Sequence, residues 1–219
     1  MTYLDRNEAG RTLARALAEW KGTHPLVAAI PRGAVPMAAV IARELDGELD
    51  IVLTRKLHVP GNPEFALGAV DETGWVYLAD YASEAGATGN YLEREVAAEL
   101  ATIRRRRALY TPNRPPAEAA GRVVIVVDDG LATGATMIAA LHALRARGPR
   151  RLICAAPVAS ASALDKVREY ADEVVCPLVP DNFYAVGQFY VEFPQVDDGE
   201  VVAELRAARP PLSAGGGRG

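Results

Sequence analysis

The run Val123 to Met137, VVIVVDDGLATGATM, limits what this chain can fold into more than any other stretch. Val123 to Val127 are all β-branched and apolar, the pattern of a strand buried on both faces in the middle of a parallel sheet. Asp128 and Asp129 stand at the C-terminal end of that strand, the edge on which open α/β sheets carry their ligand crevices. Ile138, Leu141 and Leu144 then recur at helical spacing, so a helix begins where the loop ends. In between, Gly130 and Gly134 let the backbone approach a ligand. Thr133, Thr136 and the free N–H groups of the first helical turn complete an anion cradle, most naturally for a phosphate.

Two carboxylates at the mouth of a phosphate cradle would repel the phosphate itself. They suit another part of the same ligand, such as vicinal sugar hydroxyls that donate hydrogen bonds to them. A ribose 5-phosphate moiety satisfies both halves. Hydrophobic strand, Asp-Asp, small residues and Thr133-Gly134-Ala135-Thr136 together resemble the phosphoribosyl-diphosphate (PRPP) signature of type I phosphoribosyltransferases. The lysine-containing nucleotide loop GxxxxGK[ST] is absent. The resemblance implies that Asp128 and Asp129 hold the ribose hydroxyls. Gly130, Ala132, Thr133, Gly134, Ala135 and Thr136 would bind PRPP around its 5-phosphate, with Mg²⁺ held mostly by the substrate. Purine enzymes of the 6-oxo class carry an acid where Ala132 stands, so that assignment is weakened, whereas adenine enzymes have a small residue there.

The chain has 219 residues, 50% of them hydrophobic, enough for one domain with a sizeable core, expected over residues 1–208. A net charge of −4 argues against general nucleic-acid affinity. Cys154 and Cys176 lie in apolar runs without CxxC spacing and read as reduced core residues of a cytoplasmic protein. No signal peptide or membrane-length apolar run is read. The segment from Arg209, RPPLSAGGGRG, reads as a disordered tail.

Before the central run, Asn7 to Trp20 reads as an amphipathic helix and Leu26 to Ile30 as a buried strand, followed by Pro31-Arg32-Gly33-Ala34 and a helix with Pro36 in its first turn. The resemblance implies that Arg32 and Gly33 grip the pyrophosphate. Asp50 to Thr54 reads as another strand ending in Arg55-Lys56, two cations that could neutralise a departing pyrophosphate. His58 to Gly74 is rich in glycine and proline, with Ala66 to Val70 a strand and Trp75 to Leu78 its hairpin partner. This excursion resembles the family's mobile lid, with Asn62 and Glu64 its notable polar residues; His58 reads as a loop histidine. Tyr91 to Leu109 reads as a long helix whose end, Arg104 to Arg107, spans a whole turn and so cannot form one flat patch.

Strands at Leu152 to Val158 and Glu173 to Cys176 flank a helix at Ala161 to Tyr170. The alternation predicts an α/β fold, a doubly wound, mainly parallel sheet flanked by helices, with a small hood from residues 177–206 and a hairpin lid. Pro180-Asp181-Asn182-Phe183 in that hood resembles the base-covering segment of hypoxanthine-guanine phosphoribosyltransferases, which implies a stacking role for Phe183; the same aromatics equally suit a plain core. The expectation is a phosphoribosyltransferase that uses PRPP and a nitrogen base; the sequence leaves its oligomeric state open, and the resemblance adds that the homodimer is a common form in the family. The alternative is a PRPP-binding regulator of RNA or a protein partner, for which Arg104 to Arg107 would be the contact.

Overall fold

The computed structural model describes residues 2–59, 61–85, 89–112 and 114–208. The chain runs α1 (Arg6–Ala16), a 3₁₀ turn (Ala18–Trp20), β1 (Leu26–Ala29), α2 (Ala34–Glu44), β2 (Glu48–Ile51), β3 (Thr54–Val59), β4 (Asn62–Asp71), β5 (Val76–Leu78) and α3 (Gly89–Tyr110). It continues through β6 (Val123–Val127), α4 (Ala135–Arg145), β7 (Arg151–Ala155), α5 (Ala161–Val167), β8 (Glu173–Val175), a second 3₁₀ turn (Val186–Phe189) and α6 (Asp198–Ala207). The tail from Arg209, expected to be disordered, lies outside the described residues, as does the side chain of Glu64.

Five strands form the expected parallel sheet in the order β2-β1-β6-β7-β8, with β6 at its centre. Every residue of β6 is buried, because side chains alternate between two covered faces. Val123, Ile125 and Val127 meet the core shared with α1, α2 and α6, while Val124 and Val126 meet that of α4 and α5. The sheet is therefore wound on both sides, as its sequence pattern predicted.

Beside it stands a three-stranded antiparallel sheet, β3-β4-β5. Leu57, Leu67 and Val70 pack towards Leu92, Val96 and Leu100 of α3, whereas Ala69 packs on Ala135 and Ala139 of α4. The strand read as Asp50 to Thr54 is corrected here. β2 ends at Ile51, and Thr54 begins a different strand that pairs with Asp71 of β4. Asp50 is buried and bonded to Arg114 and to the Ala117 N–H, a structural anchor rather than a strand start. α1 also begins one residue earlier than read, because Asp5 caps it by accepting from the Glu8 N–H at 2.7 Å.

The segment after β8 crosses the C-terminal edge of the sheet. Val158 bridges Leu178 and Tyr3 bridges Tyr190, which brings Val186 and Tyr190 over the strand end that carries Asp128 and Asp129. Cys154 is buried and Cys176 half-buried, and both are free thiols; burial raises the Cys176 thiol to about 11. Among the described residues no helix is long and apolar enough to cross a membrane.

Candidate active site

Two helices aim their N-termini into one cleft of about 260 Å³ beyond the C-terminal ends of β1 and β6. α2 starts after Gly33 and α4 after Gly134, and neither N-cap offers a side chain to the first-turn N–H groups. A helix start leaves such donors unsatisfied, so both ends are open to an anion. At Gly134 the backbone is left-handed, with φ of +79°, a conformation glycine adopts without cost. Arg32, Gly33, Gly130, Ala132, Thr133, Gly134 and Thr136 all line this cleft together with Asp128, Asp129 and Lys56. Ala135, the first helical residue, is buried just behind it.

The two acids differ. Asp128 lies on the cleft floor, where burial and then the neighbouring Asp129 push its carboxyl well above the usual range. The Asp129 N–H at 2.9 Å, Lys56 and the Thr136 hydroxyl oppose that rise. Asp129 is also raised by burial, but Arg6 counters it: Nε and Nη2 donate to Oδ2 at 3.0 and 2.9 Å. Arg6 is itself held by the Pro194 carbonyl at 2.6 Å and by the Phe193 ring, 3.8 Å from its guanidinium carbon. Of the two, Asp129 is the better stabilised as an anion, since a cation donates to it twice. The Tyr190 hydroxyl closes the assembly by donating to the Asp129 carbonyl at 2.7 Å.

Arg55 and Lys56 cannot act together, because adjacent side chains on a strand point to opposite faces. Lys56 faces the acids, and Arg55 turns to α3, where its Nε meets Glu99 at 2.6 Å. His58, two residues further along β3 from Lys56, lies 3.4 Å from Glu95 of α3. Phe183 is half-buried, with its ring 5.4 Å from that of Phe189, and it is Val186 rather than Phe183 that lines the cleft. The arginine run also disperses. Arg107 pairs with Glu72 at 2.8 Å, Arg105 donates to Thr102, and Arg106 lies near Tyr110 and Asp198. Sequence reading missed Arg6, Tyr190 and Asp198, whose partners lie far along the chain; only the Asp5 cap hints that Arg6 is fixed on a helix start.

Gly33 has a second, steric role. A Cβ built there would sit 2.0 Å from Asp129 Oδ2 and 3.2 Å from Arg6 Nη2. Gly33→Ala is therefore expected to break the Arg6–Asp129 geometry, costing about 2 kcal/mol of stability and at least about tenfold in ligand affinity. Thermal denaturation alongside PRPP titration checks both; unchanged values would show that the loop yields freely.

Two uncapped helix starts around a carboxyl pair give the cleft donors for an anion beside acceptors for hydroxyl groups. The chain belongs to the phosphoribosyl transferase domain family, which matches residues 2–194. It is similar along nearly its whole length to the protein TT1426 of Thermus thermophilus. That crystal structure superposes with a TM-score of 0.80 at 47% identity, covering 96% of this chain and 100% of the other. Proteins named as phosphoribosyl transferases in two strains of Mycobacterium tuberculosis are 40% identical over 216 residues, covering 96% of this chain and 48% of theirs. The chain thus spans about half the length of the curated relatives it matches.

Proposed function

We propose that this chain transfers the 5-phosphoribosyl group of PRPP to a nitrogen nucleophile, a nucleobase, and releases pyrophosphate. The observation that carries the reading is the convergence of the α2 and α4 N-termini on one cleft floored by Asp128. Thr133 to Thr136 at the α4 start would anchor the 5-phosphate, and Arg32 with the α2 start would take the pyrophosphate. The donor set fits Mg²⁺ only in the way expected of a substrate-held cation. The carboxylate oxygens the cleft offers are those of Asp128, one of which already accepts from the Asp129 N–H, and Oδ1 of Asp129, since Arg6 has taken Oδ2. When bound, the cation would neutralise charge on the diphosphate.

The chain's own groups do the rest by position and charge. Asp128 would accept from the ribose hydroxyls and favour the positive charge that develops on the sugar ring. Lys56 would stabilise the leaving diphosphate, which departs with the electron pair of the C1–O bond as a nitrogen–C1 bond forms and the nitrogen gives its proton to water. Asp129 would act through Arg6, fixing the loop that carries Gly33. The nucleophile would approach past Val186, and Phe183 would reach a base only by leaving Phe189. Pyrophosphate release measured with PRPP, Mg²⁺ and a panel of purines, pyrimidines and ammonia tests the reading. Release dependent on one acceptor is the expected result. Tight PRPP binding with no release for any acceptor would overturn transfer in favour of a PRPP-binding regulator.

A further inference from the structure

Arg32, the cation of the loop before α2, has a partner of its own within the protein. Its Nη1 lies 3.6 Å from Asp198 Oδ1, at the start of α6. That is an ion pair longer than a hydrogen bond, and both side chains are partly exposed, so the hold is weak. The same Oδ1 accepts a much shorter bond, 2.5 Å, from the hydroxyl of Tyr110 at the end of α3. Tyr110 is 3% exposed, so this donor is fixed in place by the core. Arg106, on the same turn of α3, adds a second positive charge near Asp198. Asp198 plays no part in capping α6, which Asp197 and Glu200 do reciprocally.

A carboxylate with this set of partners can give up one of them. The Tyr110 bond is the first cause that holds its carboxyl below the usual carboxylate range, with Arg32 a smaller one. We propose that Asp198 is the resting counter-ion of Arg32: pyrophosphate, free or as part of PRPP, takes Arg32 from it, while Tyr110 keeps Asp198 satisfied. Asp198 thereby sets the affinity of the pyrophosphate end of the cleft and is a positioning residue, one that touches no reacting atom. The inference rests on the proposed pyrophosphate role of Arg32.

Two substitutions should move affinity in opposite directions, which a merely structural role for this junction would not do. Asp198→Asn removes the competitor and is expected to tighten magnesium pyrophosphate binding by about threefold to fivefold, the scale of a partly exposed ion pair. Tyr110→Phe removes the alternative donor, so Asp198 clings to Arg32 and binding weakens by about the same factor. In an Arg32→Ala background both changes should fall silent. Calorimetric titration of the folded variants with magnesium pyrophosphate reads all of this without turnover. Failure of the wild type to bind would remove the pyrophosphate reading and this inference with it. Normal wild-type binding with Asp198→Asn unchanged or weaker, or with both variants shifted the same way, would overturn the inference alone.

Discussion

Asp128→Asn is expected to cut kcat/KM by about 10²- to 10³-fold while making the ligand-free protein more stable. On the proposed mechanism, the first effect follows from removing the carboxylate that would face the developing charge, a loss of the size seen when one preorganised electrostatic partner is deleted. The second follows from burial. The Asp128 carboxyl is raised above its ordinary value by desolvation and by Asp129, so its ionised form costs the fold stability. A raised carboxyl contributes against folding once pH climbs past its unfolded value, and the cost is complete above its folded one. Asparagine keeps the oxygen that accepts the Asp129 N–H and discards the charge. At neutral pH the thermal midpoint should therefore rise by about 2–4 °C, equivalent to about 1 kcal/mol in a chain of this size. Loss of activity with an equal loss of stability would instead mean that Asp128 is a structural residue.

Arg6→Met is expected to give the largest stability loss. It strands Asp129, whose side chain is 18% exposed, without the guanidinium that donates to it twice, and leaves it Lys56 as a more weakly acting cation. Breaking such a pair from one side costs about 3 kcal/mol, a drop of about 6–12 °C in thermal midpoint. Without Arg6, the folded state holds Asp129 at a raised value relative to the unfolded chain. The deficit should then be full at about pH 8 and shrink as pH falls towards about 5, where the carboxyl takes up a proton. Adding Asp129→Asn should recover most of the loss at the alkaline end, since no stranded charge remains. A deficit independent of pH and unrelieved by the second substitution would assign it to lost packing on Phe193 rather than to charge.

These two residues also mark what the sequence discloses. Val123 to Val127 and the loop to Thr136 are local: strand, acids, glycines and helix start are neighbours in the chain, so their pattern carries the sheet centre and the uncapped helix start at the cleft together. The Arg6–Asp129 pair joins residues 123 apart, and no periodicity encodes it. Arg55-Lys56 misled for a different reason. Read as the end of a core strand, both cations could crowd one crevice; as the start of β3 they obey a period of two, and only Lys56 reaches the acids. Phe183 shows the limit of aromatic patterns, because stacking on a ligand and stacking on Phe189 demand the same residue type. Asp198 follows another acid at a helix start, a pattern that capping alone would explain, and only the folded positions of Tyr110 and Arg32 distinguish it from its neighbour.

The central claim is that the cleft floored by Asp128 binds PRPP, and calorimetric titration of the protein with PRPP and Mg²⁺, side by side with Asp128→Asn, tests it most directly. Saturable binding to the wild type with one site per chain, weakened at least about a hundredfold in the variant, is the expected result. A folded wild type that takes up no PRPP, or a variant that binds it as tightly, would contradict the account.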